Sequence, residues 1–456
     1  MQFSKNNIII ELSKREKTIL WNPLVGAMIS VNPQIGKIFE KRSLADLKNL
    51  GTATIDEFLE SGFLYQRAEE EYTRIIEMYN LYNEVMSEKA MSFVLVPTYN
   101  CNFKCAYCFE KDEIKNNNSI ISDEVIEKAF TAMNALKNEK LFAEKALAIF
   151  GGEPLIDMPG MKEKIEKILD RARIWDFKHI KIVTNGSTIH KYIDLLKKYD
   201  VDTIQITIDG PKNIHDKRRI FKDGKGSFDL IMNNMKSLLK SNFKVHLRIN
   251  LDLNNIEHLP ELIEICNKEK IFSYENLYIA PAVVGELGQE RNYSGFANIN
   301  HILEKLLIYF EKYKGIKDNI SLAAWPGAKY IQYVVDNKKP YIPIFSHCDS
   351  NFHTYVLDLC GDIYACPDII GRKEYSVGTF LPELSLESEK LRKWRNRTIF
   401  NLKSCLECNY AAICGGGCTL EAINKFNNPL HNFCIKSELK KILELLFDYY
   451  YDELFQ

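Results

Sequence analysis

Three cysteines, Cys101, Cys105 and Cys108, stand in the run C-N-F-K-C-A-Y-C-F-E. An iron-sulfur cubane takes four cysteine thiolates, so a tight loop offering three leaves one iron free to chelate another molecule. That open iron is where chemistry can begin. A zinc knuckle, or a set of reduced structural cysteines, is the competing reading of such a spacing. Against it, no fourth Cys or His lies nearby in the sequence, and the triplet closely follows the apolar run 93–97, a strand-to-loop position. Further on, in A-I-F-G-G-E-P-L, a second apolar strand ends in Gly151, Gly152, Glu153 and Pro154.

The spacing C-x3-C-x2-C with an aromatic, Tyr107, before the third cysteine resembles the signature of radical S-adenosylmethionine (SAM) enzymes, and the strand-end G-G-E-P resembles that family's SAM-amine site. The resemblance implies that the free iron binds the amino and carboxylate groups of SAM. Gly151 and Gly152 would let backbone approach the methionine moiety, while the strand end through Glu153 and Pro154 would accept hydrogen bonds from its ammonium. T-N-G-S (184–187), with Asn185, suits contacts near the ribose or the methionine end. T-I-D-G-P followed by H-D-K-R-R resembles the S-L-D-G-P...H-D-x-x-R segment of the SPASM branch, with Thr207 where serine is common. Its hydroxyl would bond the SAM carboxylate. Arg218 or Arg219 would pair with the same carboxylate and Asn250 with the ribose, against the readings of surface arginine and strand-end turn.

The 456 residues exceed what one core usually supports, so two or three domains are expected. A net charge of -1 and a pI near 6.8 leave no basic excess, which argues against a general nucleic-acid or anionic-membrane binder. No charged-then-apolar signal opens the chain, and no run of about 18 apolar residues could span a bilayer, so the cytoplasm is the expected compartment. Twelve cysteines there read as metal ligands, because the cytosol keeps thiols reduced.

The elements that must position these residues are legible as alternation. From 91 to about 284, strands at 93–97, 146–150, 180–184, 203–208, 245–251 and 277–281 alternate with amphipathic helices, the pattern of a parallel sheet. One such helix follows Ser122, a plausible N-cap, with Asp123 and Glu124 in its first turn. The resemblance makes this α/β chain a partial (β/α)6 TIM-like radical SAM barrel over 89–290, with its site at the carboxyl ends of the strands. Residues 1–88 carry strands at 8–12, 18–21 and up to Val31, short helices at 33–41, 43–49 and 55–61, a closing strand or wing at 62–64, and a charged helix over 69–88. They resemble a winged-helix-like leader-recognition domain; a structural cap is the alternative. Residues 291–345 form a bridging region with helices near 302–313 and 327–335. A cysteine-rich domain follows at 346–440, then a C-terminal helix at 441–456.

That domain contains Cys348, Gly361 and Cys366, then Cys405-x2-Cys408-x5-Cys414-x3-Cys418, then Cys434. Zinc competes for the middle run taken alone. The whole resembles the seven-cysteine SPASM pattern, which implies two auxiliary [4Fe-4S] clusters beside the SAM-binding one. Cys348, Cys366 and Cys418 would hold the first, and Cys405, Cys408, Cys414 and Cys434 the second. Cys360, at the turn of the hairpin V-L-D-L-C-G-D-I-Y-A-C, either completes the first set or leaves an iron open for a substrate thiolate. Cys266 reads as a buried apolar residue.

The resemblance implies reductive cleavage of SAM and hydrogen abstraction by a 5'-deoxyadenosyl radical, with an electron donor such as ferredoxin or flavodoxin and an anaerobic host. The leading expectation is a maturase that installs a thioether between a Cys sulfur and a carbon of a ribosomally made precursor peptide, its leader held by the N-terminal domain. A carbon-carbon cross-link is the runner-up. Formylglycine formation in sulfatases is set lower, because that branch places an acid directly after the cysteine matching Cys366, where this chain has Pro367 and then Asp368. A non-catalytic electron carrier or peptide scaffold would have no need of a SAM site.

Overall fold

The computed structural model describes residues 1–110, 119–138, 144–285, 293–313, 317 and 320–455. After the short β1 (Gln2–Phe3), three antiparallel strands lie in the order β2 (Ile8–Leu12), β3 (Lys17–Asn22) and β4 (Ala27–Val31). Helix α1 (Pro33–Lys41) starts where the Asn32 side chain accepts from the Ile35 amide at 2.9 Å, with proline at a first-turn position that lacks an intrahelical partner anyway. Helices α2 (Leu44–Lys48) and α3 (Thr52–Glu60) follow, then β5 (Leu64–Tyr65), which pairs with β1, and the 21-residue α4 (Ala68–Glu88). Side chains alternate across β3. Leu20 joins a small core with Phe3, Phe39, Phe58 and Phe63, whereas Ile19 and Trp21 face the main core. The unit has its own centre and is also welded to the rest.

Six parallel strands follow with their helices: β6 (Met91–Val96), α5 (Asp123–Asn138), β7 (Lys145–Ile149), α6 (Met161–Ile174), β8 (His179–Val183), α7 (Ile193–Lys198), β9 (Thr203–Thr207), α8 (Lys212–Arg218), α9 (Phe228–Lys240), β10 (Lys244–Leu251), α10 (Leu259–Lys268) and β11 (Leu277–Val283). All six match the expected strands. On β10, Val245, Leu247, Ile249 and Leu251 are buried, while His246, Arg248 and Asn250 alternate to the other, concave side. The expected boundary at 290 lies outside the described residues. Helices α11 (Ile299–Lys312) and α12 (Ala328–Asn337) bridge to the cysteine-rich part.

There the hairpin of β12 (Thr354–Asp358) and β13 (Asp362–Tyr364) forms as expected, but it is not a separate unit. β12 pairs in parallel with β6, and β13, β14 (Gly378–Thr379) and β15 (Ser385–Leu386) continue one ten-stranded sheet. All five β12 residues are buried, as suits a strand covered on both faces. Helices α13 (Ser388–Arg395), α14 (Ala411–Cys414) and α15 (Thr419–Phe426) follow; Cys414 ends α14 and Cys418 is the residue before α15. Then α16 (Lys436–Tyr449), which starts earlier than expected, and α17 (Tyr451–Phe455) close the chain, with Phe447 meeting Trp21 edge-on at 5.7 Å. No helix among the described residues is long and apolar enough to cross a membrane.

Candidate active site

A cavity of about 500 Å³ opens at the carboxyl ends of the parallel strands, and Cys101, Cys105, Cys108 and Tyr107 line it. The cysteine loop is held by backbone: Lys104 N donates to Ile220 O at 2.8 Å and Ala106 N to Arg218 O at 3.1 Å. The Phe103 and Phe221 rings pack behind it at 4.6 Å. Burial, with Glu153 and Cys105 nearby, pushes the Cys101 thiol well up. A neutral thiol suits such a site only until a cation draws the proton off. Three adjoining thiols beside an open cavity of ligand size fit a three-thiolate cluster with a chelated small molecule.

Gly151 and Gly152 line the same cavity, but a tighter constraint explains them. A Cβ on Gly152 would lie 2.3 Å from both Tyr99 O and Asn100 O, the backbone leading into the cysteine loop. Glu153 and Pro154, expected with the strand-end backbone at the SAM ammonium, are not among the residues lining the cavity. The Glu153 carboxylate is fully buried and spent on neighbours: it accepts from Leu155 N at 2.9 Å, Thr184 Oγ1 at 2.6 Å and Asn185 N at 2.6 Å. It ties the G-G-E-P loop to the T-N-G-S loop. Asn185, which faces the cavity, in turn grips the cysteine loop, donating to Asn102 Oδ1 at 2.7 Å and reaching Cys101 Sγ at 3.9 Å.

Across the cavity stand Thr207, Asn250 and Arg219. The Tyr107 hydroxyl donates to Asp209 Oδ2 and accepts from Arg219 Nη1 at 2.8 Å and Asn250 Nδ2 at 3.1 Å. Of the two arginines, Arg218 is committed: its terminal nitrogens reach Asp252 Oδ1 at 2.8 Å, Tyr293 Oη at 2.9 Å and Asn250 O at 3.1 Å. Arg219 is the one at the cavity wall. His215 of H-D-K-R-R is structural. Its Nδ1 accepts from Asp209 N at 3.2 Å, and burial holds its pKa down at about 3, so it is neutral. Sequence reasoning missed Asp209 as the anchor of Tyr107, although the D-G-P turn marked it.

The short turn Pro367–Ile369 carries Asp368 onto the cavity wall, near Arg248. One intervening residue therefore does not displace this acid from the site, so Pro367 gives no ground for ranking formylglycine formation lower. Burial raises the Asp368 pKa and Arg248 opposes the rise.

The later cysteines fall into two sets. Cys348 and Cys418 lie near Cys366, and Cys348 lies near Cys418. Cys405, Cys408, Cys414 and Cys434 surround a second, smaller cavity. Gly417, at φ +77°, lets the chain fold between them, where a Cβ would lie 2.0 Å from Phe433 O. Fully buried Arg397 donates to the carbonyls of Gly416, Gly417, Pro429 and His431 and lies near cysteines of both sets. Cys360 is apart. It is exposed, and its charged neighbours are Asp358, Asp362 and Lys373, none of them a cysteine. Cys266 is buried in α10. Among the described residues no three His, Cys, Asp or Glu side chains converge on a single-ion position.

Fold and site together define a radical SAM domain: residues 95–266, which carry the cysteine triplet, match the Radical SAM superfamily model. The proteins it is similar to include maturases and synthases. It is 25% identical over 465 residues to the radical SAM cyclopropyl synthase TigE of Paramaledivibacter caminithermalis, covering 93% of this chain and 91% of that protein. It is 24% identical over 375 residues to the cysteine-type anaerobic sulfatase-maturating enzyme of Clostridium novyi, covering 78% and 95%. Among solved structures it shares the fold of native anSMEcpe with bound AdoMet and Cp18Cys peptide (TM-score 0.59, 19% identity, 80% and 98% covered). It also shares that of Streptococcus suis SuiB bound to precursor peptide SuiA (TM-score 0.51, 15% identity, 95% and 99% covered).

Proposed function

We propose that this chain is a maturase of a ribosomally made precursor peptide that closes a carbon-carbon bond within it, the leader being held by residues 1–88. The observation that carries the reading is coverage. The cyclopropyl synthase corresponds over 93% of the chain, and a cyclopropyl ring requires a new carbon-carbon bond. The sulfatase-maturating relative leaves over a fifth uncovered, since it spans 78% of the chain; that remainder is about as long as the N-terminal unit. SuiB, solved with a precursor peptide, spans 95% of the chain.

In this reading Cys101, Cys105 and Cys108 hold the SAM-binding cluster, and Gly151, Gly152, Asn185, Thr207, Arg219 and Asn250 line the SAM. Cys348, Cys366 and Cys418 hold one auxiliary cluster, and Cys405, Cys408, Cys414 and Cys434 the other; Cys360 is no ligand. When bound, SAM on its cluster supplies a hydrogen-abstracting 5'-deoxyadenosyl radical, the auxiliary clusters supply an electron acceptor, and a ferredoxin or flavodoxin supplies the electron that starts the reaction. Tyr107, fixed by Asp209, holds Arg219 and Asn250 in place on the wall. Asp368 is placed to take the proton released as the bond closes.

A thioether is the second reading, favoured by the trio of Cys348, Cys366 and Cys418, which is one ligand short with Cys360 apart. Anaerobic reaction with SAM, reductant and the precursor, followed by high-resolution mass spectrometry and thiol alkylation, tests both. Loss of two hydrogens with every thiol free supports the carbon-carbon bond, and the same loss with a blocked cysteine moves the assignment to a thioether. Deoxyadenosine release with an unchanged peptide refutes the substrate class.

A further inference from the structure

Beneath the cavity, the concave side of the sheet carries a cluster of nitrogens that the proposed function does not use. Arg248 and Gln205 line the cavity. Two residues earlier on β10, and so on the same side, stands His246; on β8, two residues before cavity-lining Val183, stands Lys181. Lys181 Nζ lies 3.4 Å from His246 Nδ1. An ammonium can only donate, so Nδ1 accepts and Nε2 carries the imidazole hydrogen. That buried Nε2 has no acceptor among the described residues. Arg248 donates Nε to Asn250 Oδ1 at 3.1 Å, and among the described residues its terminal nitrogens have no acceptor.

The Lys181 charge is uncompensated as well. Asp368 and Asp209 lie near Arg248, but among the described residues Lys181 feels only the charge of Arg248, and His246 those of Lys181 and Arg248, with no acid among them. Burial and Arg248 bring the Lys181 pKa down to about 8. A half-buried cation without an acid beside it is unfavourable, and three neighbouring groups that each turn a free N–H to the same side have one common complement, an anionic acceptor.

We propose that Lys181, His246 and Arg248 form a carboxylate subsite for the substrate, so that the modified residue lies close to an acidic side chain or to the C-terminal carboxylate of the peptide. The subsite rests on the peptide-maturase reading, which makes the anion a carboxylate.

The test reads binding, not turnover. The full chain, with clusters reconstituted anaerobically, is labelled briefly with acetic anhydride at about pH 8, where a lysine of ordinary pKa is nearly all protonated. Modified lysines are mapped by mass spectrometry, alone and with three probes at tens of millimolar. These are N-acetylglutamate α-amide (side-chain carboxylate), N-acetylglycylglycine (terminal carboxylate) and neutral N-acetylglutamine amide. The expected result is Lys181 labelling slowed at least threefold by one or both acids and unchanged by the neutral amide, and the protecting acid identifies the source. Protection by neither acid, or equal protection by the amide, overturns the subsite. The acids should also raise the melting temperature of the wild type and of Lys181→Arg but not of Lys181→Met; a rise that survives in Lys181→Met overturns it too. An unmodified peptide in the turnover experiment would remove the proposed function without touching this result, and unprotected Lys181 would remove the subsite while leaving turnover intact.

Discussion

Replacing Glu153 by glutamine separates a side chain that binds SAM from one that builds the wall around it. Three donors converge on the carboxylate, Leu155 N and Thr184 Oγ1 on Oε1 and Asn185 N on Oε2. A glutamine amide offers one acceptor oxygen. If that oxygen keeps Leu155 N and Thr184 Oγ1, the amide nitrogen faces the Asn185 N–H donor to donor. Losing a hydrogen bond to a charged group costs about 1.5–3 kcal/mol, and a buried unsatisfied donor about 1–3 more. Burial already holds the Glu153 acid above its ordinary range, so the neutral amide recovers part of this, and the net loss is about 2–4 kcal/mol. The assay is thermal unfolding of reconstituted protein without SAM, beside equilibrium dialysis with SAM. E153Q should melt several degrees lower before any SAM is added, and weaker SAM binding should accompany looser iron. An unchanged melting temperature with SAM affinity lost tenfold or more would refute the wall-building role and restore Glu153 as a direct ligand.

Four further outcomes follow from the same geometry. Cys360→Ser should retain the full iron content, whereas Cys366→Ser should lose one cluster's worth, measured by iron analysis after reconstitution. Asp368→Asn should release deoxyadenosine while peptide modification falls at least tenfold, since the proton acceptor is gone and the SAM wall is not. Asp358, whose pKa burial raises from 3.8 to about 6, adds stability that is fully present below about pH 3.8 and lost as pH rises through about 6. By linkage the wild type should therefore lose about 3 kcal/mol relative to Asp358→Asn across that window, read from unfolding at several pH values. Arg397→Gln should leave the SAM-binding cluster assembled and lower auxiliary iron, because four backbone carbonyls would lose a buried guanidinium.

The six barrel strands were legible because each is a short apolar run ended by a turn, and the two groups of cysteines were legible because spacing along one chain is enough to bring them together. What could not be read depends on contacts between distant segments. Nothing local in T-Y-V-L-D marks it as a partner for β6 instead of a free hairpin strand; only its burial on both faces does. The G-G-E-P glycines invite a ligand explanation, yet the close approach at Gly152 is to the Tyr99 and Asn100 carbonyls. Arg218 and Arg219 are neighbours with equal claims in sequence, and only tertiary partners separate them: Asp252 and Tyr293 occupy the first, and the Tyr107 hydroxyl holds the second at the cavity.

The pairing of β12 with β6 also explains how a cysteine-rich domain far along the chain can take part in chemistry at the barrel mouth. β6 leads through Thr98 and Asn100 into the cysteine loop, and β12 runs beside it in register from Thr354 against Ser92 to Asp358 against Val96. The Tyr99 hydroxyl donates to Asp358 Oδ2 at 2.6 Å, fastening the loop entrance to the end of β12. The hairpin then returns through β13, and two residues beyond it Cys366 begins the turn that sets Asp368 on the cavity wall. One continuous sheet thus fixes Cys366, the proposed proton acceptor Asp368 and the loop of Cys101, Cys105 and Cys108 relative to one another. A change in the Tyr99 to Asp358 contact should therefore be felt at both ends, and Tyr99→Phe should lower peptide modification while all three cysteine sets still take up iron.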